Sequence, residues 1–133
     1  MSEANIATVQ SLYGAFGRGD IDTIVAGCLP EVNWVSGGRK EDYPPFGARK
    51  GTDAVRDFFR SVAEVQDFSE FSPKEFYADR DKVFVLGRYA MTVKKTGRQV
   101  TSEWVHIFTF RGGKVSDFRE FTDTAAFATA YRG

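Results

Sequence analysis

Residues 100–123 read VTSEWVHIFTFRGGKVSDFREFTD, and the fold turns on how they are read. From Ser102 to Phe110 apolar and polar residues largely alternate, and β-branched and aromatic types are enriched, which predicts a half-buried strand. Gly112-Gly113 turns the chain, and Lys114 to Thr122 reads as a second strand, so the segment is a β-hairpin. His106, the only histidine in the chain, lies in the middle of the first strand.

What the hairpin can do depends on its register. A two-residue turn pairs Arg111 with Lys114 and sets Arg119 opposite His106, whereas a three-residue turn with a bulge at Gly113 puts Phe118 there with Glu120 beside it. A slip of one residue exchanges a carboxylate for a guanidinium. Val115 and Phe121 favour one face and Phe118 the other, so composition leaves both registers open.

Outward from the hairpin, strands gather late and helices early. Ser2 can cap a helix to about Phe16, with Ile6, Val9, Tyr13 and Phe16 forming one apolar stripe, and Gly17-Arg18-Gly19 ends it. Asp20 caps a second helix carrying Ile21, Ile24, Val25 and Cys28 on one face, closed by Pro30. Val32 to Ser36 is a short strand with Trp34 and Ser36 sharing a face. Gly37 to Gly51 is the longest irregular segment, either a functional lid or a solvated excursion. Thr52 caps a third helix with Val55, Phe58, Phe59 and Val62 as its apolar stripe.

Phe68 to Ala78 reads as a strand interrupted at Pro73, hence an edge or a bend. Val83 to Lys94 is a strand, turned back by Thr96-Gly97. Pairing Lys95 with Arg98 would set Tyr89 across from Trp104 and Gly87 across from His106, leaving room beside the imidazole. Thr124 to Tyr131 is a short terminal helix capped by Asp123 or Thr124. The order predicts an α+β domain with helices on one face of a curved antiparallel sheet, a cone with an open end where small molecules bind.

Composition bounds the function. A chain of 133 residues suits one domain, 1–133, with a single core, and 42% hydrophobic and 15% aromatic content marks it as folded. Eighteen basic and eighteen acidic residues cancel, and no polybasic run appears, which argues against nucleic acid or an anionic membrane as partner. Cys28 stands alone, which favours a reducing compartment. The absence of a leader-like start or a long apolar run makes a cytoplasmic location the expectation. One histidine, one cysteine and no clustered acids leave zinc or iron short of ligands, and the paired glycines match no phosphate-binding fingerprint, so no cofactor is implied.

Two stretches carry a family resemblance. LYGAFGRGDIDTIVAGCLPEVNWV (residues 12–35) resembles the opening of SnoaL-like proteins, and HIFTFRGGKVSDFREFTD (residues 106–123) is similar to the F-x-F-x-x-G-K hairpin of the same group. That group belongs to the nuclear transport factor 2-like superfamily, which includes ketosteroid isomerase. The resemblance implies a cone-shaped α+β barrel, its curved sheet wrapped around three N-terminal helices, with a deep apolar pocket. It also implies a homodimer through the outer face of the sheet, to which Glu103, Val105 and Ile107 would belong. It does not fix an activity, since the superfold hosts isomerases, cyclases, dehydratases, epoxide hydrolases and non-catalytic binders.

Ketosteroid isomerase uses a carboxylate base and an oxyanion hole made of a tyrosine and a protonated aspartic acid. Carried across, these positions fall on Ser36, Leu12 and His106, so none of the three groups is retained. The same comparison counted from Lys114 puts Phe118, Glu120 and Thr122 on the pocket face. His106 and Glu120 then form an acid/base pair, the carboxylate fixing the imidazole's tautomer, while Arg119 takes the place in the other register. Tyr13, Trp34, Phe59, Tyr89, Trp104 and Phe118 are the expected substrate-binding side chains, Tyr13 or Trp34 holding a substrate oxygen. Three readings follow: a cofactor-free isomerase, cyclase or dehydratase acting on a small apolar or polycyclic molecule; a non-catalytic binder of such a molecule; or an association domain whose pocket is filled by Trp34, Tyr89 and Trp104.

Overall fold

Asp20 ends one helix and starts the next. Its carboxylate accepts the Thr23 backbone N–H at 3.2 Å and the Thr23 hydroxyl at 2.6 Å, while Gly19 reverses the chain at φ 71°. The computed structural model describes residues 2–133, in the order α1 (Ser2–Gly17), α2 (Ile21–Ala26), β1 (Cys28–Ser36), β2 (Gly47–Lys50), α3 (Thr52–Val65), β3 (Gln66–Asp79), β4 (Lys82–Val93), β5 (Gln99–Arg111), β6 (Lys114–Phe121) and α4 (Thr124–Arg132). The cap expected from Ser2 lies outside the described side chains. Among the described residues no helix is long and apolar enough to cross a membrane.

Two element ends depart from expectation. α2 stops at Ala26, and Cys28 opens β1, because Val115 of β6 donates its N–H to Gly27 O at 2.9 Å and pulls the chain into the sheet. α3 is entered from Gly51 at φ 90° rather than capped by Thr52, which is already helical.

The six strands run β2-β1-β6-β5-β4-β3. All neighbours are antiparallel except β1 and β6, which are parallel, so the antiparallel sheet expected from the sequence is mixed at that pair. β1 and β6 are joined by α3 and four strands, long enough for the crossover that a parallel pair requires. The edges β2 and β3 do not pair, so the cone is an open sheet with α1 against β3 and β4 and α3 against β1 and β2. Bulges in β3 beside Pro73 and between β5 and β6 add local bending.

Register decides which side chains meet. The β4–β5 connection is four residues, Lys94 to Gly97, closed by Val93 N–H to Arg98 O at 2.8 Å and Gly97 N–H to Val93 O at 2.8 Å. Gly87 therefore pairs with Trp104, Tyr89 with Ser102 and Val85 with His106, which corrects the pairing expected from a two-residue turn.

The β5–β6 hairpin resolves the other fork by combining its halves. The turn is the two-residue one, Arg111 pairing with Lys114 across Gly112 (φ 59°) and Gly113 (φ 80°). The bulge exists too, but at Ser116, which is extra between the pairs Phe110–Val115 and Thr109–Asp117. Its parity change lets Val115 and Phe118 both face the core, leaves Arg119 exposed, and turns Phe121 outward at 52% exposure. Glu120 pairs directly with His106.

Candidate functional site

The cavity lies between α1, α3 and the inner face of the sheet, and its walls are aromatic and aliphatic: Leu12 and Phe16 of α1, Phe58 and Phe59 of α3, Phe118 of β6. The centre of a water molecule can move through about 90 Å³ of it, several times what one water needs. Phe127 of α4 and Tyr43 and Phe46 of the Gly37–Phe46 loop cover one side. Their rings pack on one another, with Tyr43 5.1 Å from Phe46 and 5.0 Å from Phe127. The Tyr43 hydroxyl donates to Gln66 Oε1.

One polar cluster interrupts this apolar lining. The Glu120 carboxylate accepts from Ser36 Oγ at 2.7 Å, bonds His106 Nε2 at 2.9 Å, and lies 3.2 Å from the Tyr89 hydroxyl, which also reaches Thr122 Oγ1 at 2.7 Å. His106 Nδ1 lies 2.8 Å from the Tyr13 hydroxyl. Four elements thus meet in one chain of hydrogen bonds, α1, β1, β4 and β6 converging on the single histidine of β5. With the ring neutral, Nε2–H donates to an ionised Glu120, and Nδ1 accepts from Tyr13.

Electrostatics favour the ionised carboxylate. Burial alone would raise the Glu120 carboxyl, but the hydrogen bond and charge of His106 and the hydrogen bonds from Ser36 and Tyr89 outweigh it and hold the group below its ordinary range. Tyr13 and Tyr89 are pushed strongly upward, first by burial and second by the charge of Glu120, so both stay protonated. Among the described residues no three His, Cys, Asp or Glu side chains gather as metal ligands.

Of the residues singled out in the sequence, His106, Glu120, Tyr13, Trp34, Phe59, Tyr89 and Phe118 line this cavity. Trp104 does not; its indole lies flat against His106 at 3.8 Å between ring centroids and fills the space over Gly87. Gly87 thus leaves no opening beside the imidazole. Trp34 stacks on Phe118 at 4.1 Å, and its indole N–H makes no hydrogen bond within the protein. Tyr13 bonds the histidine rather than standing free. Ser36, whose position carries the base in ketosteroid isomerase, is here a donor to Glu120. Gln66 and the rings of Tyr43, Phe46 and Phe127 were not foreseen; Tyr43-Pro44-Pro45-Phe46, apolar inside a charged loop, was the available signal.

A sequence model of the SnoaL-like domain matches residues 9–118. The chain belongs to the SnoaL-like family. No curated protein matches this SnoaL-like chain in sequence. Among solved structures it is similar to a nuclear transport factor 2-like protein from Burkholderia xenovorans LB400, with 30% identity over 98% of each chain and a TM-score of 0.90. A nuclear transport factor 2-like protein of unknown function from Burkholderia pseudomallei K96243 shares 30% identity over 100% of each chain, with a TM-score of 0.87. TerC, co-crystallised with polyporic acid, shares 28% identity over 98% of this SnoaL-like chain and 99% of its own, with a TM-score of 0.85.

Proposed function

We propose that this SnoaL-like protein binds a small apolar, ring-containing molecule and acts on it by cofactor-free acid/base chemistry, as an isomerase, cyclase or dehydratase. The observation that carries the reading is the Tyr13–His106–Glu120 chain set in an otherwise apolar cavity. A proton leaving the substrate is taken by the Tyr13 oxygen as the Tyr13 proton passes to His106 Nδ1. The resulting imidazolium keeps its Nε2–H on the ionised Glu120, whose charge stabilises it. Because the Tyr13 phenolate is strongly disfavoured, the two transfers are concerted and no free phenolate forms. Reversal delivers the proton to a different substrate atom, which is an isomerisation, or to a leaving hydroxyl, which is a dehydration.

A second reading, a binder without chemistry, is favoured by one feature: both ring nitrogens of His106 are already satisfied inside the protein. The two readings separate on a panel of hydroxylated polycyclic compounds including polyporic acid, the compound crystallised with TerC. Binding is read from tryptophan fluorescence, and chemistry from product formation and from deuterium exchange of carbon-bound ligand protons in D2O. The enzyme reading expects exchange or turnover that falls by about 10²-fold or more in His106→Asn and Tyr13→Phe. Ligand that binds tightly and is recovered unchanged, without exchange, leaves the binder.

The protein is further proposed to work as a homodimer through the outer face of the sheet, where Phe121 (52%) and Leu86 (37%) are exposed beside the half-buried Val105 and Ile107. Sedimentation of wild type against Phe121→Lys tests this: the dimer weakens to monomer, whereas a wild type that is already monomeric ends the idea.

A further inference from the structure

We propose that Trp104 is the positioning residue of this site: its indole, seated in the notch left by Gly87, holds the His106 imidazole in the orientation in which Tyr13 meets Nδ1 and Glu120 meets Nε2. The inference rests on reading His106 as the proton carrier.

Trp104 is buried, and its ring lies 3.8 Å from that of His106 at an interplanar angle of 19°. Phe71 stacks on the same indole at 5.4 Å and 18°. The indole cannot retreat toward β4, because a Cβ at Gly87 would lie 2.3 Å from its Cζ2, 2.5 Å from its Cη2 and 2.7 Å from Ser72 O. Only the hydrogen of a glycine fits there, and the backbone itself is the backstop.

This geometry constrains the histidine in a way its hydrogen bonds alone do not. A half-turn about Cβ–Cγ exchanges Nδ1 with Cδ2 and Nε2 with Cε1, which would lose both Tyr13 and Glu120. To make that turn the imidazole must pass edge-on through space that the indole occupies at van der Waals contact. The titratable groups facing the ring are Glu120 from β6 and Tyr13 from α1; β4 presents Val85 across the ladder, and the other rings against it are Trp104, Phe108 and Phe118, none of which titrates. Trp104 Nε1 makes no hydrogen bond within the protein, a cost in stability that a phenylalanine would avoid. The large ring is retained at that cost because a smaller one does not span from the glycine notch to the imidazole.

A glycine–aromatic pair across two strands also stabilises a sheet, so the test must read the histidine itself. Because the chain has one histidine, ¹⁵N-histidine labelling gives a single pair of ring signals. With the ring neutral, the wild type shows one protonated nitrogen, Nε2, and one hydrogen-bond acceptor, Nδ1, with well-separated shifts. In Trp104→Leu the two shifts move toward a common average as flips and tautomers exchange, and Trp104→Phe falls between. Gly87→Ala, which pushes on the indole as well as on Ser72 O, moves the two shifts in the same direction as Trp104→Leu. A folded Trp104→Leu with the two shifts of the wild type overturns the proposal. Should that variant not fold, Trp104→Phe carries the test, and an unchanged pair of shifts overturns it there. If His106→Asn turns over substrate as fast as wild type, the acid/base reading falls while the ¹⁵N result stands independently.

Discussion

Glu120 lies straight across the β5–β6 ladder from His106, Oε2 at 2.9 Å from Nε2, and Ser116 is the residue that puts it there. The two-residue turn alone would have set Arg119 opposite the imidazole, a guanidinium that can neither orient nor stabilise a protonated ring. Inserting Ser116 into β6 shifts every later side chain to the other face, and the strand keeps Val115 and Phe118 buried on both sides of the change. The bulge therefore serves packing and chemistry together: burying Phe118 brings Glu120 inward with it.

The ionised Glu120 should appear in the acid limb of stability. Its folded-state value is depressed, so its contribution is present above the unfolded value near 4.3 and is lost as pH falls through the folded one. Glu120→Gln keeps the shape and removes the charge, and it is expected to cost about 1–3 kcal/mol at neutral pH. The gap between wild type and variant in denaturant unfolding should close below about pH 4. A gap that stays constant through the acid range would mean that folding leaves this carboxyl unshifted, and one that widens as pH falls would mean that the folded protein holds it protonated.

The buried phenols predict the opposite limb. Tyr13, Tyr43 and Tyr89 are all pushed upward, burial being the first cause in each, so their contribution is present below about pH 10 and is lost as rising pH ionises the unfolded chain. Phenolate absorbance from these three should rise only together with loss of far-UV circular dichroism. Tyr13→Phe and Tyr89→Phe should each shrink that cooperative step. Full phenolate absorbance in a still-folded protein would mean that the hydroxyls are open to solvent.

Local patterns made the helices, the strands and the hairpin legible, because periodicity and turn residues act within a few positions. Asp20 as a cap, Pro73 at an edge and Trp34 beside Ser36 on one face could all be read from neighbours in sequence. What stayed hidden depended on distant partners. α2 ends early because Val115 claims Gly27, and β1 runs parallel to β6 for reasons visible only once α3 and four strands are laid between them. One arm of an open choice put Glu120 on the face of His106, but with Phe118 opposite the imidazole; the direct pairing of Glu120 with His106 belongs to neither arm, since a serine bulge carries no compositional mark as a glycine turn does. Trp104 was read as a ligand contact from alternation alone; only the register that sets it over Gly87 shows that its face belongs to His106.

The loop from Gly37 to Phe46 should gate the cavity. Tyr43 (1% exposed) and Phe46 (2%) are as buried as any core residue, although both lie outside regular structure, and they rest on Phe127 and Tyr131 of the terminal helix. Their anchorage is side-chain packing, the Tyr43–Gln66 hydrogen bond and two hydrogen bonds that Arg49 of β2 donates to Pro45 O at 2.8 Å and Pro44 O at 3.2 Å, all of which a loop can release without unpairing the sheet. Gly38, at φ 96°, is where the chain bends under Phe46, and a Cβ there would stand 2.4 Å from Phe46 Cδ2. Tyr43→Ala is therefore expected to cost about 3–5 kcal/mol in unfolding free energy and also to speed the association of an apolar fluorescent dye with the cavity. Gly38→Ala should speed association in the same way, because it evicts Phe46 while leaving Tyr43 intact. Stopped-flow rates decide the matter: if both variants admit the dye no faster than wild type, the ligand enters elsewhere, and the two rings are core side chains that happen to lie on a loop.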